Sequence, residues 1–330
     1  MVIDVHAHVF PPITRAESRV LDDEDGPWLR AGDDGAGMMM SGSEEYRPVT
    51  AGLWDPAARL AAMDAAGVDA QAVSSTPLMF GYGAEPGRAA AWCDLVNARI
   101  LEHCAADPAR LLPLCQVPLQ DVARACETVT RAKAAGHRGV HIGNHAGDRY
   151  PDDGEIVEFL AHCAHEGMPV LVHPWDMLAP ERMRGHMLPW LVGMAAETQL
   201  SIMRMILSGA FDRLPRSLRL CFCHGGGSFA YLLGRADNAW HNRDIVRADS
   251  SAPPSAYTDR FFVDSAVFDP RALRLLVEVM GPERVMLGTD YPFPLGERKP
   301  GEVVRSCDAL TEETRDLILG GNATAFFARS

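Results

Sequence analysis

The chain alternates two kinds of apolar pattern. Short runs rich in Val, Ile, Leu and Phe recur along it: "VIDVHAHV" from Val2, "VDAQAVSS" from Val68, "LLPLCQV" from Leu111, "GVHIG" from Gly139, "PVLVHP" from Pro169, "LRLCFCH" from Leu218, "FFVDSAV" from Phe261 and "RVMLGTD" from Arg284. Each reads as a buried strand. Between them lie stretches with apolar residues at helical spacing, such as "DPAARLAAMDAAG", "DVARACETVTRAKAAG" and "DPRALRLLVEVMG". These open on Asp, a good helix N-cap, and close on Gly, which accepts the left-handed conformation at a helix C-terminus. Eight such units in 330 residues predict an α/β fold, a (β/α)8 TIM-type barrel, with a doubly wound parallel sheet as the alternative.

One interval breaks the rhythm. Residues 11–54 separate the first strand from the first helical stretch, which is long for a βα loop. They hold the acidic, Gly-rich "DDEDGPWLRAGDDGAG" and then the apolar "MMM". The expectation is an insertion with a small hairpin lying over the barrel mouth, with Trp28, Met38–Met40 and Tyr46 partly buried. The other reading is a disordered excursion. A second long connection, residues 174 to about 195, follows the fifth strand. No repeat or linker calls for a second domain, so residues 1–330 are expected to form one barrel domain carrying the 11–54 insertion.

Composition narrows the function. With 31 basic and 44 acidic residues the net charge is -13, and no basic tract stands out. Nucleic acid and an anionic membrane are therefore not expected partners, whereas a small acid bound by a few local arginines is compatible with this balance. No apolar stretch is long enough to span a bilayer and no signal-peptide pattern precedes the first strand. The eight cysteines are scattered without a CxxC pair, which predicts a reduced, cytoplasmic protein. Cys221 and Cys223 in "CFCH" would share a strand face, but no second pair completes a thiolate site, so they are expected in the core.

The chemistry begins at "VIDVHAHVF", residues 2–10. Residues i and i+2 of a strand point the same way, so His6 and His8 share a face. Alone, the pair reads equally as two hydrogen-bonded core histidines or as two metal ligands. Three later residues change this. His173 ends the fifth strand, His224 the sixth and Asp290 the eighth, all at the carboxyl ends where barrel active sites form. Imidazoles and a carboxylate are the ligand set of Zn²⁺ or a similar divalent ion. His6, His8, His173 and Asp290 would leave a position open for water, with His224 as general base or as a further ligand. The fourth strand, "GVHIGNH", lacks the lysine that could bridge two metals once carbamylated, so one ion is expected. His141 and His145 there are expected to be supporting or structural. "HGGGS" opens a helix but lacks the spacing and lysine of a phosphate loop, and reads as close packing beside the site.

At this point the chain resembles a known family. The segments "DVHAHVFP", "VLVHPWDM", "HGGGSFAYLLGRADNAW" and "GTDYPFPLGE", with "EEYRPVTAGLWDP", "TPLMFGY", "QVPLQD" and "RFFVDSAVF", resemble the decarboxylase branch of the amidohydrolase superfamily over nearly the whole length. Within it, the likeness is to the aminocarboxymuconate-semialdehyde decarboxylases. The resemblance implies non-oxidative decarboxylation of 2-amino-3-carboxymuconate 6-semialdehyde to 2-aminomuconate 6-semialdehyde. It implies one Zn²⁺ per subunit, or another divalent transition metal, on His6, His8, His173 and Asp290. A hydroxide generated on the ion would act with His224 as acid/base and Asp290 assisting. Arg47 in "EEYRP" and Arg235 in "LLGRAD" would bind the substrate's two carboxylates, a task suited to guanidinium. Arg235 would come from the neighbouring subunit, which makes the active form a homodimer. One position departs from the family: His186 in "RGHMLPW" stands where a tryptophan near the pocket is usual. Read without the resemblance, Arg47 is a solvated loop residue and Arg235 an ion-pair partner of Asp237. Other functions within reach of the same residues are a hydroxybenzoate decarboxylase of resorcylate or salicylate type and a lactone or amide hydrolase. A structural zinc site in a non-catalytic binding protein fits worst, because such sites are usually closed and Cys-rich.

Overall fold

A computed structural model describes residues 1–24, 26–32 and 34–328. In chain order its strands are β1 (Ile3–Val9), β2 (Pro27–Ala31), β3 (Ala36–Ser41), β4 (Glu44–Thr50), β5 (Ala70–Ser75), β6 (Leu111–Cys115), β7 (Gly139–Gly143), β8 (Val170–His173), β9 (Leu220–Phe222), β10 (Phe262–Asp264) and β11 (Val285–Met286). Eight of them pair in the order β1-β5-β6-β7-β8-β9-β10-β11, and every pairing in this sheet is parallel. Backbone bonds bring the last strand back to the first: Val5 N–H donates to Leu287 O (2.8 Å), Asp290 N–H to His6 O (2.9 Å) and His8 N–H to Tyr291 O (2.7 Å). The result is the predicted barrel rather than the open doubly wound sheet. The three quoted helices form at Pro56–Ala66, Val122–Ala135 and Pro270–Met280, capped by the side chains of Asp55, Asp121 and Asp269. Their C-terminal glycines Gly67, Gly136 and Gly281 all have positive φ. No helix among the described residues is long and apolar enough to cross a membrane.

Two expectations need correction. The insertion carries a three-stranded antiparallel sheet, β2-β3-β4, rather than a single hairpin. Met39 and Met40 in β3 are buried and Trp28 is half-buried, but Tyr46 is exposed. Several strands are also shorter than their apolar runs. β9 stops at Phe222 and β11 at Met286, so His224 and Asp290 lie in the turns beyond the strands rather than at their last residues.

β1 is not a plain alternating strand. Asp4 pairs with Gln71 and Ala7 with Val73, so β1 holds one extra residue opposite β5. This bulge resets the parity of the side chains. Ile3 and Val5 pack inside the barrel with Leu171, Cys221 and Met286, and His6 and His8 then face the same interior above them.

A buried polar network holds that bulge. Asp4 accepts from Thr289 Oγ1 (2.6 Å), Gln71 Nε2 (2.9 Å) and the backbone N–H of His6 (3.1 Å). Gln71 Oε1 accepts from Arg59 (2.6 Å), whose guanidinium also donates to the carbonyl of His8 and to His103 Nε2 (3.1 Å). Through Arg59 the helix Pro56–Ala66 thus grips β1 from behind.

This packing predicts an acid-sensitive fold. Burial, reinforced by Arg59, pushes the pKa of His103 down to about 4, and burial does the same for His137, against an ordinary 6.5. Between those values the unfolded chain binds protons that the folded chain excludes, so stability falls as pH drops from 6.5 toward 4. Each histidine contributes at most about 1.4 kcal/mol per pH unit. Urea midpoints measured across this range should decline with acidity, and His137→Asn should flatten the decline. An unaltered slope in that variant would contradict the assignment.

Candidate metal centre

The site is assembled from ring nitrogens whose partners are already decided. His6 Nδ1 lies 2.7 Å from Asp264 Oδ2, His8 Nδ1 3.2 Å from Ser75 O, and His173 Nδ1 2.7 Å from Pro174 O. Carboxylate and carbonyl oxygens only accept, so each Nδ1 carries a proton. The three Nε2 atoms are left to point inward, the arrangement in which imidazoles ligate metals. His6 Nε2 and His8 Nε2 face each other at 3.1 Å, and His173 Nε2 is buried without a partner. Asp290 Oδ1 is 3.3 Å from His8 Nε2 and 3.6 Å from His6 Nε2. One ligand atom from each of His6, His8, His173 and Asp290 lies within 4.8 Å of the others.

The electrostatics suit a cation. Burial lowers His8 and drives His173 well below its ordinary range, with His224 and His8 adding to the effect, so both rings are neutral. Burial also acts against a charged His6, but Cys223 and Asp264 outweigh it and hold its pKa high. Burial works against an ionised Asp290 too, yet the neighbouring imidazoles of His224 and His8 keep the carboxylate far below its ordinary range. Two facing imidazole nitrogens and a buried carboxylate need positive charge between them. Three imidazoles and one carboxylate fit Zn²⁺ or a comparable divalent transition ion.

Asp264 was not singled out by sequence, although it stands at the carboxyl end of the seventh strand run, "FFVDSAV". Its Oδ1 accepts from the backbone N–H of Gly225 (2.8 Å) and Ala266 (3.1 Å), leaving Oδ2 for His6. Cys223 forms a second close group with His6 and Asp264, but that side of the imidazole is taken by the Asp264 bond. Asp264→Asn keeps an acceptor for the two backbone groups while removing the charge that orients His6. Zinc affinity, measured by competition with a chromophoric chelator, should fall roughly 10–100-fold. Unchanged affinity would remove Asp264 from the site.

His224 opens a turn in which four consecutive residues have positive φ: His224 (56°), Gly225 (61°), Gly226 (70°) and Gly227 (65°). A Cβ on Gly225 would lie 2.4 Å from Val267 Cγ1, and one on Gly227 2.2 Å from Ala195 O. Only glycines let the turn pack this tightly. It places the His224 ring 4.9 Å from those of both His6 and His173, with Nε2 3.9 Å from Asp290 Oδ2. His224 stands outside the four-atom group and beside it.

The arginines divide. Between β3 and β4 the register shifts and leaves Tyr46 unpaired, which turns Arg47 toward the mouth. Its guanidinium lies 5.3 Å from the rings of Phe293 and Trp190, and Phe293 is 5.5 Å from His8. Among the described residues Arg47 has no carboxylate partner. Arg235 is exposed on the helix Phe229–Asn242, and this chain does not bring it to the site. Nor does it pair with Asp237, which accepts from Ser255 N–H instead (2.9 Å). His186 is exposed too, and it is Trp190, four residues on, whose ring lies by Arg47. The two histidines of the fourth barrel strand also part company. His145 meets the carbonyls of Gly147 (2.8 Å) and Asp176 (3.1 Å), whereas among the described residues neither ring nitrogen of His141 has a partner. All eight cysteines are free.

Comparison with known proteins agrees with this geometry. The amidohydrolase family model matches residues 3–329. The chain is 36% identical to the 2-amino-3-carboxymuconate-6-semialdehyde decarboxylase of Dictyostelium discoideum over 332 residues, 98% of this chain and 90% of that one. It is 30% identical to the gamma-resorcylate decarboxylase of Rhodococcus jostii over 216 residues, 60% of this chain and 65% of the other. The crystal structure of 5-carboxyvanillate decarboxylase from Sphingomonas paucimobilis superposes with a TM-score of 0.81 at 27% identity, covering 99% and 98% of the two chains. A near full-length match of this kind, together with three inward imidazoles and a carboxylate at the mouth of a parallel barrel, makes the chain a member of the amidohydrolase family, in its branch of metal-dependent decarboxylases.

Proposed function

We propose that this chain is a zinc-dependent carboxy-lyase that converts 2-amino-3-carboxymuconate 6-semialdehyde to 2-aminomuconate 6-semialdehyde without oxidation. The observation that carries the reading is Arg47, a guanidinium with no carboxylate partner among the described residues, set one aromatic ring away from the four-ligand site. A dicarboxylate substrate gives it that partner through paired hydrogen bonds. The near full-length likeness to the Dictyostelium enzyme supports the same substrate.

When bound on His6, His8, His173 and Asp290, a divalent ion supplies a Lewis acid that acidifies a water molecule. The remaining work belongs to side chains. Arg47 binds and orients one carboxylate. Arg235 of a second copy is assigned the other, which its exposure permits and which makes the working form a homodimer. Net decarboxylation replaces CO2 by a proton: the proton that His224 takes from water goes to the carbon that bears the departing carboxylate, while the hydroxide left behind adds to the adjacent carbon of the double bond and is expelled again as CO2 departs. The electron pair of the breaking C–C bond then restores the conjugated product. Asp290 stays anionic beside His224. No oxidant enters, and a cytoplasmic setting suits the free cysteines.

A second reading, a hydroxybenzoate decarboxylase, is favoured by the aromatic wall beside the site, where Phe80 stacks on Tyr82 at 5.1 Å and Trp175 meets Tyr82 edge-on at 5.3 Å. One experiment separates them. Zinc-loaded protein is given enzymatically generated semialdehyde, 2,6-dihydroxybenzoate or a simple lactone under nitrogen. Loss of the semialdehyde's absorbance with stoichiometric CO2 is expected. CO2 from the dihydroxybenzoate alone moves the assignment to the second reading, and lactone opening alone overturns both.

A further inference from the structure

We infer that His141 is a substrate-contacting residue, whose imidazole N–H donates to an oxygen of the acid bound at the metal centre. The inference rests on the decarboxylase reading above and adds a specificity determinant to it. His141 lies on β7, the fourth barrel strand, and is fully buried. Among the described residues neither Nδ1 nor Nε2 has a hydrogen-bond partner. A neutral imidazole offers one donor and one acceptor, and leaving both unmade in the interior is costly. Other buried histidines keep at least one ring nitrogen partnered: His137 Nδ1 lies 3.2 Å from Ala132 O, His103 Nε2 accepts from Arg59 (3.1 Å), and His145 meets the carbonyls of Gly147 (2.8 Å) and Asp176 (3.1 Å).

The surroundings say where the missing partner sits. The ring is 5.9 Å from that of His8, 5.8 Å from that of His173 and 5.0 Å from that of Phe80. Phe80 offers nothing polar. Gly143, two residues on and facing the same way, has no side chain to offer, and its N–H is already donated to Tyr82 Oη (2.9 Å). A Cβ there would lie 2.6 Å from Trp175 Cδ1, so no larger residue could fill the place. His141 also stands outside the four-ligand group, so a metal ion does not satisfy it. Like His6 and His8 it has no solvent exposure, so its partner must share the enclosed space those ligands face. Phe80 lies against His141 and packs on Tyr82 and Trp175, an aromatic wall that suits a flat acid.

Zinc-loaded wild type, His141→Leu and His141→Gln test this by calorimetric titration with 2,6-dihydroxybenzoate and with cis,cis-muconate, and by turnover of the semialdehyde. Leu has nearly the volume of His and no polar atom; the Gln amide can still donate. His141→Leu should weaken acid binding and raise KM by about tenfold, with kcat changed less than about threefold. Its zinc content should equal that of the wild type, and its unfolding temperature should be equal or higher, since an unsatisfied polar group has been removed. His141→Gln should recover most of the lost affinity. Unchanged affinity and KM in His141→Leu, or a wild type that binds neither acid, overturns the inference. So does a drop in zinc content or unfolding temperature in both variants, which marks a structural histidine. A wild type that fails to turn over the semialdehyde, while His141→Leu still weakens acid binding, overturns the substrate reading and leaves the His141 contact standing.

Discussion

His224→Ala should lower kcat by about 10³-fold while the protein keeps its zinc. The size follows from what the ring is asked to do. It is the titratable group beside the four ligands that is free to move a proton, with its Nδ1 unpartnered and its Nε2 facing Asp290 at 3.9 Å. General acid–base assistance of this kind is typically worth two to four powers of ten. The fold should tolerate the change, because the turn is held by its glycines and by the Gly225 N–H bond to Asp264 rather than by the imidazole. Metal analysis on the same sample decides the role. Zinc lost along with activity would make His224 a ligand, and near-normal kcat would remove it from the chemistry.

Stripping the metal should abolish turnover altogether, and Zn²⁺, Mn²⁺ or Co²⁺ but not Mg²⁺ should restore it. Mg²⁺ prefers an all-oxygen octahedron, whereas three of the four donors here are imidazole nitrogens. The effect extends to the fold. A ligand that binds only the native state at 100 times its Kd stabilises by about 2.7 kcal/mol. For a chain of this length that raises the unfolding midpoint by roughly 4 °C. His173→Ala removes a donor with an otherwise unsatisfied nitrogen, so it should lose the zinc-dependent rise in Tm together with activity. A full Tm response to zinc in that variant would show that the ion binds elsewhere.

Much of the barrel was legible because its signals are local. A strand's apolar run, an Asp before a helix and a Gly after it act within a few residues, and Asp55, Asp121 and Asp269 cap the helices expected of them. His6 and His8 could be placed together because two strand positions apart is one face. The bulge in β1 was not legible, since it is defined by pairing with β5 and held by Arg59, Gln71 and Thr289. Arg47 stood out only through the family resemblance. Its approach to Phe293 and Trp190 depends on a register shift between β3 and β4 and on a connection some 140 residues away.

By itself, the sequence determined the alternation of strands and helices, and hence a barrel whose strand ends collect His6, His8, His173, His224 and Asp290. Only the tertiary structure decided what each ring nitrogen faces. His6 takes its second partner, Asp264, from 258 residues along the chain, and His141 finds none among the described residues. Periodicity is a property of neighbours in sequence, whereas hydrogen-bond satisfaction in a buried site is settled by barrel closure, which sets which distant strand ends share one enclosed space.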